Sequence, residues 1–167
     1  MTKEVLLALA LTFPSADQFK PERAVDEVLS VTTDDTESRV LIGFGYFESH
    51  WGQLMLGDCT CTEPVRFGTL ILMLDNDCPN LSKRTLKNCR AIGPMQTWDP
   101  ERWLEGATPA KVVADRVLGY RVGLAIFRRA MEKCGSNVRA ALGFYASGKA
   151  CGFAADLVAQ RCKRIGC

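Results

Sequence analysis

The sequence predicts a mainly α-helical protein with one cysteine-rich irregular insertion. Three observations lead there. Apolar residues recur at helical spacing in several stretches, each bounded by capping residues or glycine. Four of eight cysteines fall between residues 53 and 90, where helical periodicity lapses. The 167 residues, 47% apolar and 24% charged, give enough material for one domain with a real core.

Residues 1–32 read as amino-terminal helices. The run Val5 to Phe13 follows Lys3 and resembles a short secretory h-region, with Ala16 before a candidate cleavage site. Glu4 weakens the basic flank and Pro14 stands where a small residue is wanted, so the reading adopted is a folded helix ending before Pro14. Ala24 to Val31 forms a short amphipathic helix. The polar cluster Thr32-Thr33-Asp34-Asp35-Thr36 then offers N-caps for the next one.

That helix carries Val40-Leu41-Ile42-Gly43-Phe44-Gly45-Tyr46-Phe47-Glu48-Ser49-His50-Trp51-Gly52, with Gly52 as its natural stop. Leu41, Phe44 and Glu48 share one stripe, and Val40, Phe44, Phe47 and Trp51 a second. Glu48 is the residue to explain. A carboxyl group in this apolar setting is expected to be poorly hydrated, and it lies at the negative end of the helix dipole. Both effects penalise the ionised form, and an acid held protonated can give its proton to a leaving oxygen. The adjacent His50 points another way on a helix and is expected to face solvent.

The segment from about 53 to 90 needs staples, and Cys59, Cys61, Cys78 and Cys89 are the obvious ones. Within it, Phe67 to Leu74 reads equally as a strand or a short buried helix. An even cysteine count suggests disulfides and an oxidising compartment, against buried thiols or, for these four, a structural zinc. Pairing is not legible. From Thr108-Pro109, a cap followed by proline, Val113, Val117, Tyr120, Leu124, Phe127 and Met131 recur as a core stripe up to Gly135. Ser136 caps a further helix to Gly148, and an amphipathic helix spans about Phe153 to Ile165. A net charge of +2 does not argue for nucleic acid, and no apolar run is long enough to span a bilayer.

Three segments carry candidate chemistry: Phe47-Glu48-Ser49-His50-Trp51-Gly52, Ala91-Ile92-Gly93-Pro94-Met95-Gln96-Thr97-Trp98, and Ala141-Leu142-Gly143-Phe144-Tyr145-Ala146-Ser147-Gly148. In type, order and helical setting they resemble the lysozyme-like lytic transglycosylases, over about Thr33 to Gly148. The resemblance implies a single lysozyme-like domain with a motif-bearing core over 33–148 and a carboxy-terminal helix in 149–167. It implies Glu48 as the single catalytic acid/base, with Ser49, Gly93, Met95, Gln96 and Tyr145 as the substrate-binding set and no cofactor. Peptidoglycan glycan strands would be the partner, cleaved to 1,6-anhydro products. Such a protein acts in the periplasm, outside the cell, or as part of a phage particle or envelope assembly.

Two departures stand out. Ala146 replaces the family's asparagine after the tyrosine, and the stretch between Glu48 and Gly93 is longer than usual. That stretch offers Asp58, Asp75 and Asp77, any of which facing the cleft would allow lysozyme-type hydrolysis instead. A non-catalytic glycan-binding or structural module is the remaining alternative.

Overall fold

Asp34 starts the 15-residue helix at the heart of the main core. Its side chain accepts from the Glu37 amide at 2.9 Å, and Asp35 and Glu37 place negative charge in the first turn. The computed structural model describes residues 1–53, 55–67, 70–78, 84–148 and 150–167, with segments 62–67 and 70–77 as backbone only. Before this helix come α1 (Lys3–Ala10), a 3₁₀ turn (Ala16–Phe19) and α2 (Pro21–Leu29). Proline at the first helical position starts α2 three residues earlier than its apolar pattern indicates. The central helix is α3 (Asp35–Ser49). After the sheet come α4 (Pro100–Trp103), α5 (Pro109–Ala114), α6 (Arg116–Lys133), α7 (Val138–Ser147) and α8 (Ala155–Ile165).

The structure is mainly helical, as the sequence indicates, but the insertion is not irregular. Residues Leu56–Phe67 (β1), Leu70–Asp77 (β2) and Cys89–Ile92 (β3) form an antiparallel sheet in the order β2-β1-β3 among the described residues. Leu70 to Leu74 therefore takes the strand alternative, while Gly68 and Thr69 lie outside the described residues. Cys59 sits directly opposite Cys89 in the β1–β3 register and is bonded to it; Cys61 is bonded to Cys78. Thus the four cysteines weighed as zinc thiolates are two disulfides, buried together as the described core of the sheet. Cys134–Cys151 and Cys162–Cys167 complete the set, so every cysteine is paired.

The long helix expected from Thr108 is broken in two. Asp115 adopts extended backbone (φ −123°, ψ 103°), and its side chain accepts from the Leu118 amide, ending α5 and capping α6. The break resets the helical phase. Val112 is fully buried, while Val113 and Val117 are only half-buried. Beyond it, Tyr120, Leu124 and Phe127 pack in the main core as expected. Asn137, not Ser136, caps α7 through the Ala140 amide.

The main core joins α1, α2, α3, α6, α7 and α8. Leu6 and Ala10 of α1 are buried in it, and the Tyr46 hydroxyl donates to the Pro14 carbonyl at 2.7 Å, so the first helix packs on α3. A smaller cluster of Ile92, Val112, Val122 and Ile126 binds β3 to α5 and α6. Helices α3 and α8 approach closely at Gly43, where an added Cβ would lie 2.1 Å from Ile165 Cγ2. No helix among the described residues is long and apolar enough to cross a membrane.

Because Ile165 is β-branched and fully buried, it has little freedom to move aside. Gly43→Ala is expected to destabilise the fold by about 1–3 kcal/mol through overpacking, despite the better helix propensity of alanine. Thermal unfolding of the purified variant measures this, and an unchanged midpoint would contradict so tight a crossing.

Candidate functional site

Glu48 and Ser49 occupy the last turn of α3, and three bonds fix where that turn ends. The Ser49 hydroxyl, fully buried, donates to the Pro94 carbonyl at 2.6 Å and accepts from the Gly52 amide at 2.6 Å. His50 (φ 50°) and Trp51 (φ 54°) take the left-handed conformation, so the helix stops two residues before the expected Gly52. The Trp51 indole is buried and donates back to the Ile42 carbonyl at 2.8 Å. His50 leans against Phe19, with ring centroids 4.8 Å apart, and is half-buried rather than fully solvent-facing.

Glu48 is not the isolated, poorly hydrated acid expected from the sequence. Its side chain is 27% exposed, and Oε1 accepts from Arg161 Nη1 of α8 at 2.5 Å. The guanidinium carbon lies 5.2 Å from the Phe44 ring centre and 5.1 Å from that of Phe47. Arginine favours this setting because its weakly hydrated plane sits well on aromatic rings. Its Nε is buried without a hydrogen-bond partner among the described residues. Tyr145 of α7 stands nearby and donates its hydroxyl to the Met95 carbonyl at 3.0 Å. Burial, and secondarily the Glu48 charge, hold that phenol well above its ordinary range, so it remains a neutral donor.

The three motifs are therefore locked together through two successive backbone carbonyls. Pro94 receives the hydroxyl of Ser49, and Met95 receives that of Tyr145. The loop bearing them turns at Gly93 (φ 80°) and Gln96 (φ 46°), and the Gln96 amide nitrogen donates to Gly93 at 2.9 Å. Gln96 Oε1 lies over Gly57 of β1, where an added Cβ would be 1.8 Å away. Only glycine there lets the side-chain amide lie against the sheet.

Glu48, Gln96 and Tyr145 line one cavity of about 620 Å³ between the helical body and the sheet. The other three residues of the expected substrate-binding set do not. Ser49 and Met95 are buried, at 1% exposure each, and Gly93 lies beneath the wall beside Val112. Ser49 and Met95 tie the loop to α3 and α7 through hydroxyl-to-carbonyl bonds at Pro94 and Met95, and none of the three lines this cavity. Asp58 also lines the cavity and accepts from the Trp98 indole at 3.0 Å. The side chains of Asp75 and Asp77 lie outside the described residues.

Sequence reasoning missed several parts of this wall. Trp98, 51% exposed, ends the second motif and presents an open indole to the cavity. Phe153 and Leu157 are about half exposed on the opposite side, and Leu157 and Arg161 share one face of α8. The signal was the surplus of apolar residues around α8, read as core stripe alone. Exposed aromatic faces beside amide and carboxyl groups suit a sugar ring, which has apolar C–H faces and polar edges. No family model matches this chain, and neither does any curated protein or solved structure.

Ser49→Ala would leave the Pro94 carbonyl and the Gly52 amide without their buried partner. A loss of about 1–3 kcal/mol is expected from that desolvation. Denaturant unfolding is the measurement; stability within error of the parent would mean the turn is held by other contacts.

Proposed function

We propose that this chain is a peptidoglycan-cleaving lytic transglycosylase of lysozyme-like fold. The observation that carries the reading is the convergence of Glu48, Gln96 and Tyr145, from three distant segments, on one cavity with an exposed tryptophan. A glycan strand would lie between the sheet wall and α8, with sugar faces against Trp98 and Phe153. Glu48 would gain a proton, leave Arg161 and protonate the glycosidic oxygen between N-acetylmuramic acid and N-acetylglucosamine. The resulting carboxylate would take the proton of the muramoyl C6 hydroxyl as that oxygen bonds to C1. The acid is thereby restored, no water is consumed, and the product is a 1,6-anhydro sugar.

Arg161 acts in this scheme as a positioning residue. It fixes the Glu48 rotamer in the free protein and steadies the carboxylate between the two proton transfers. The four disulfides accord with action in the periplasm, outside the cell or on a virion. Two observations favour neighbouring readings. Asp58 shares the cavity and offers a second carboxylate for lysozyme-type hydrolysis. Ala146, also in the wall, leaves a polar contact of the resembled family unfilled, which favours a non-catalytic glycan-binding or structural module.

Glu48→Gln should slow turbidity loss of purified cell walls by about 10²–10⁴-fold. Equal clearing by both proteins removes Glu48 from the chemistry, and wall binding without soluble fragments selects the binding module. Mass spectrometry of the fragments separates anhydro from hydrolysed ends by the mass of one water. For Arg161→Ala, we expect kcat to fall by about tenfold to a hundredfold with KM little changed, and Arg161→Lys to recover part of it. A purely structural Arg161 would instead lower stability and leave kcat of the folded fraction untouched.

A further inference from the structure

A second, larger cavity of about 850 Å³ adjoins the first, and its charge is one-sided. Trp103, Phe144 and Gly148 line both, so the two cavities share this wall. Helices α4 and α6 supply Arg102, Arg128, Arg129 and Lys133 to the second cavity, against Glu132 alone among the described residues. Two of these cations are already engaged. Arg128 is bidentate to Glu37 of α3, at 2.7 and 3.0 Å, and Arg129 meets Glu132 at 3.5 Å.

Arg102 and Lys133 have no acidic partner among the described residues. Each rests instead on an aromatic ring of the shared wall: the Arg102 guanidinium carbon 5.4 Å from the Trp103 ring centre, and Lys133 Nζ 4.7 Å from that of Phe144. The two uncommitted cations thus stand on side chains that both cavities share. Resting on an aromatic face holds a cation in place without neutralising it. A neutral strand leaving the first cavity would gain nothing from this charge.

We propose that the second cavity is a subsite for the carboxylate groups of the strand whose sugars fill the first, with Arg102 and Lys133 as the receiving cations. The inference rests on the wall-glycan reading and sharpens it, since it gives the strand's carboxylates a place in the fold.

The test is a binding titration on the full chain carrying Glu48→Gln, which slows turnover enough for binding to be read. One probe is a neutral N-acetylglucosamine oligomer; the other is a peptidoglycan-derived oligomer of equal sugar length that retains its lactyl and peptide carboxylates. The carboxylated probe should bind about threefold to thirtyfold more tightly, and added salt should erase the difference. Adding Arg102→Gln and Lys133→Gln should abolish the preference while leaving affinity for the neutral probe unchanged. Circular dichroism checks that the exposed substitutions leave the fold intact. Equal affinity for the two probes, or a preference that survives the double substitution, overturns the subsite alone. If neither probe binds, the wall-glycan reading falls and takes the subsite with it.

Discussion

The end of α3 is held from several directions at once, and the candidate site depends on that hold. Trp51 turns back onto Ile42 of its own helix, and Ser49 reaches across to Pro94. Arg116, at the start of α6, donates to the Trp51 carbonyl and pairs with Glu27 of α2 at 2.9 Å. Glu27 and Arg116 are only 11% and 13% exposed, so the pair is shielded from much of the screening that weakens surface charges. Helices α2, α3 and α6 and the loop after β3 therefore meet at one turn. A carboxyl group placed one residue before it inherits a fixed position from all of them.

This arrangement explains why the motif-bearing loop is rich in internal contacts. Two adjacent carbonyls, of Pro94 and Met95, serve as sockets for hydroxyls from α3 and α7. Bonds to backbone carbonyls fix the loop while leaving side chains free to vary. The Met95 side chain packs inward against α6, where Gly123 makes room for it, while Gln96, Thr97 and Trp98 line the cavity.

Much of the helical body was legible from capping and periodicity, because those signals act over a few residues. Asp34, Pro109 and Gly148 mark element ends for local reasons, and the structure uses all three. The break at Asp115 was not legible, since its neighbours keep an apolar rhythm that masks the phase reset. The sheet was legible only in part: Leu70 to Leu74 read as a strand or a buried helix, whereas β1 and β3 meet at cystine, and sulfur bridging leaves no alternating apolar pattern to read. Glu48, Gln96 and Tyr145 stood out because each is polar within an apolar motif. Arg161 did not, because it lies 113 residues from Glu48 on an ordinary amphipathic helix, and only folding puts them together.

The cystine core of the sheet has one more implication. Arg84 bonds the Cys78 carbonyl at 3.0 and 3.1 Å and the Leu56 carbonyl at 2.9 Å, joining the strand ends that frame the cavity. Among the described residues, the layer holds itself together by covalent sulfur and such main-chain bonds, whereas the helices rest on a broad oily interior. Thiol reductants would therefore loosen the two layers unequally. Amide exchange would quicken first in β1 and β3, and the groove would lose one bank while the other stood.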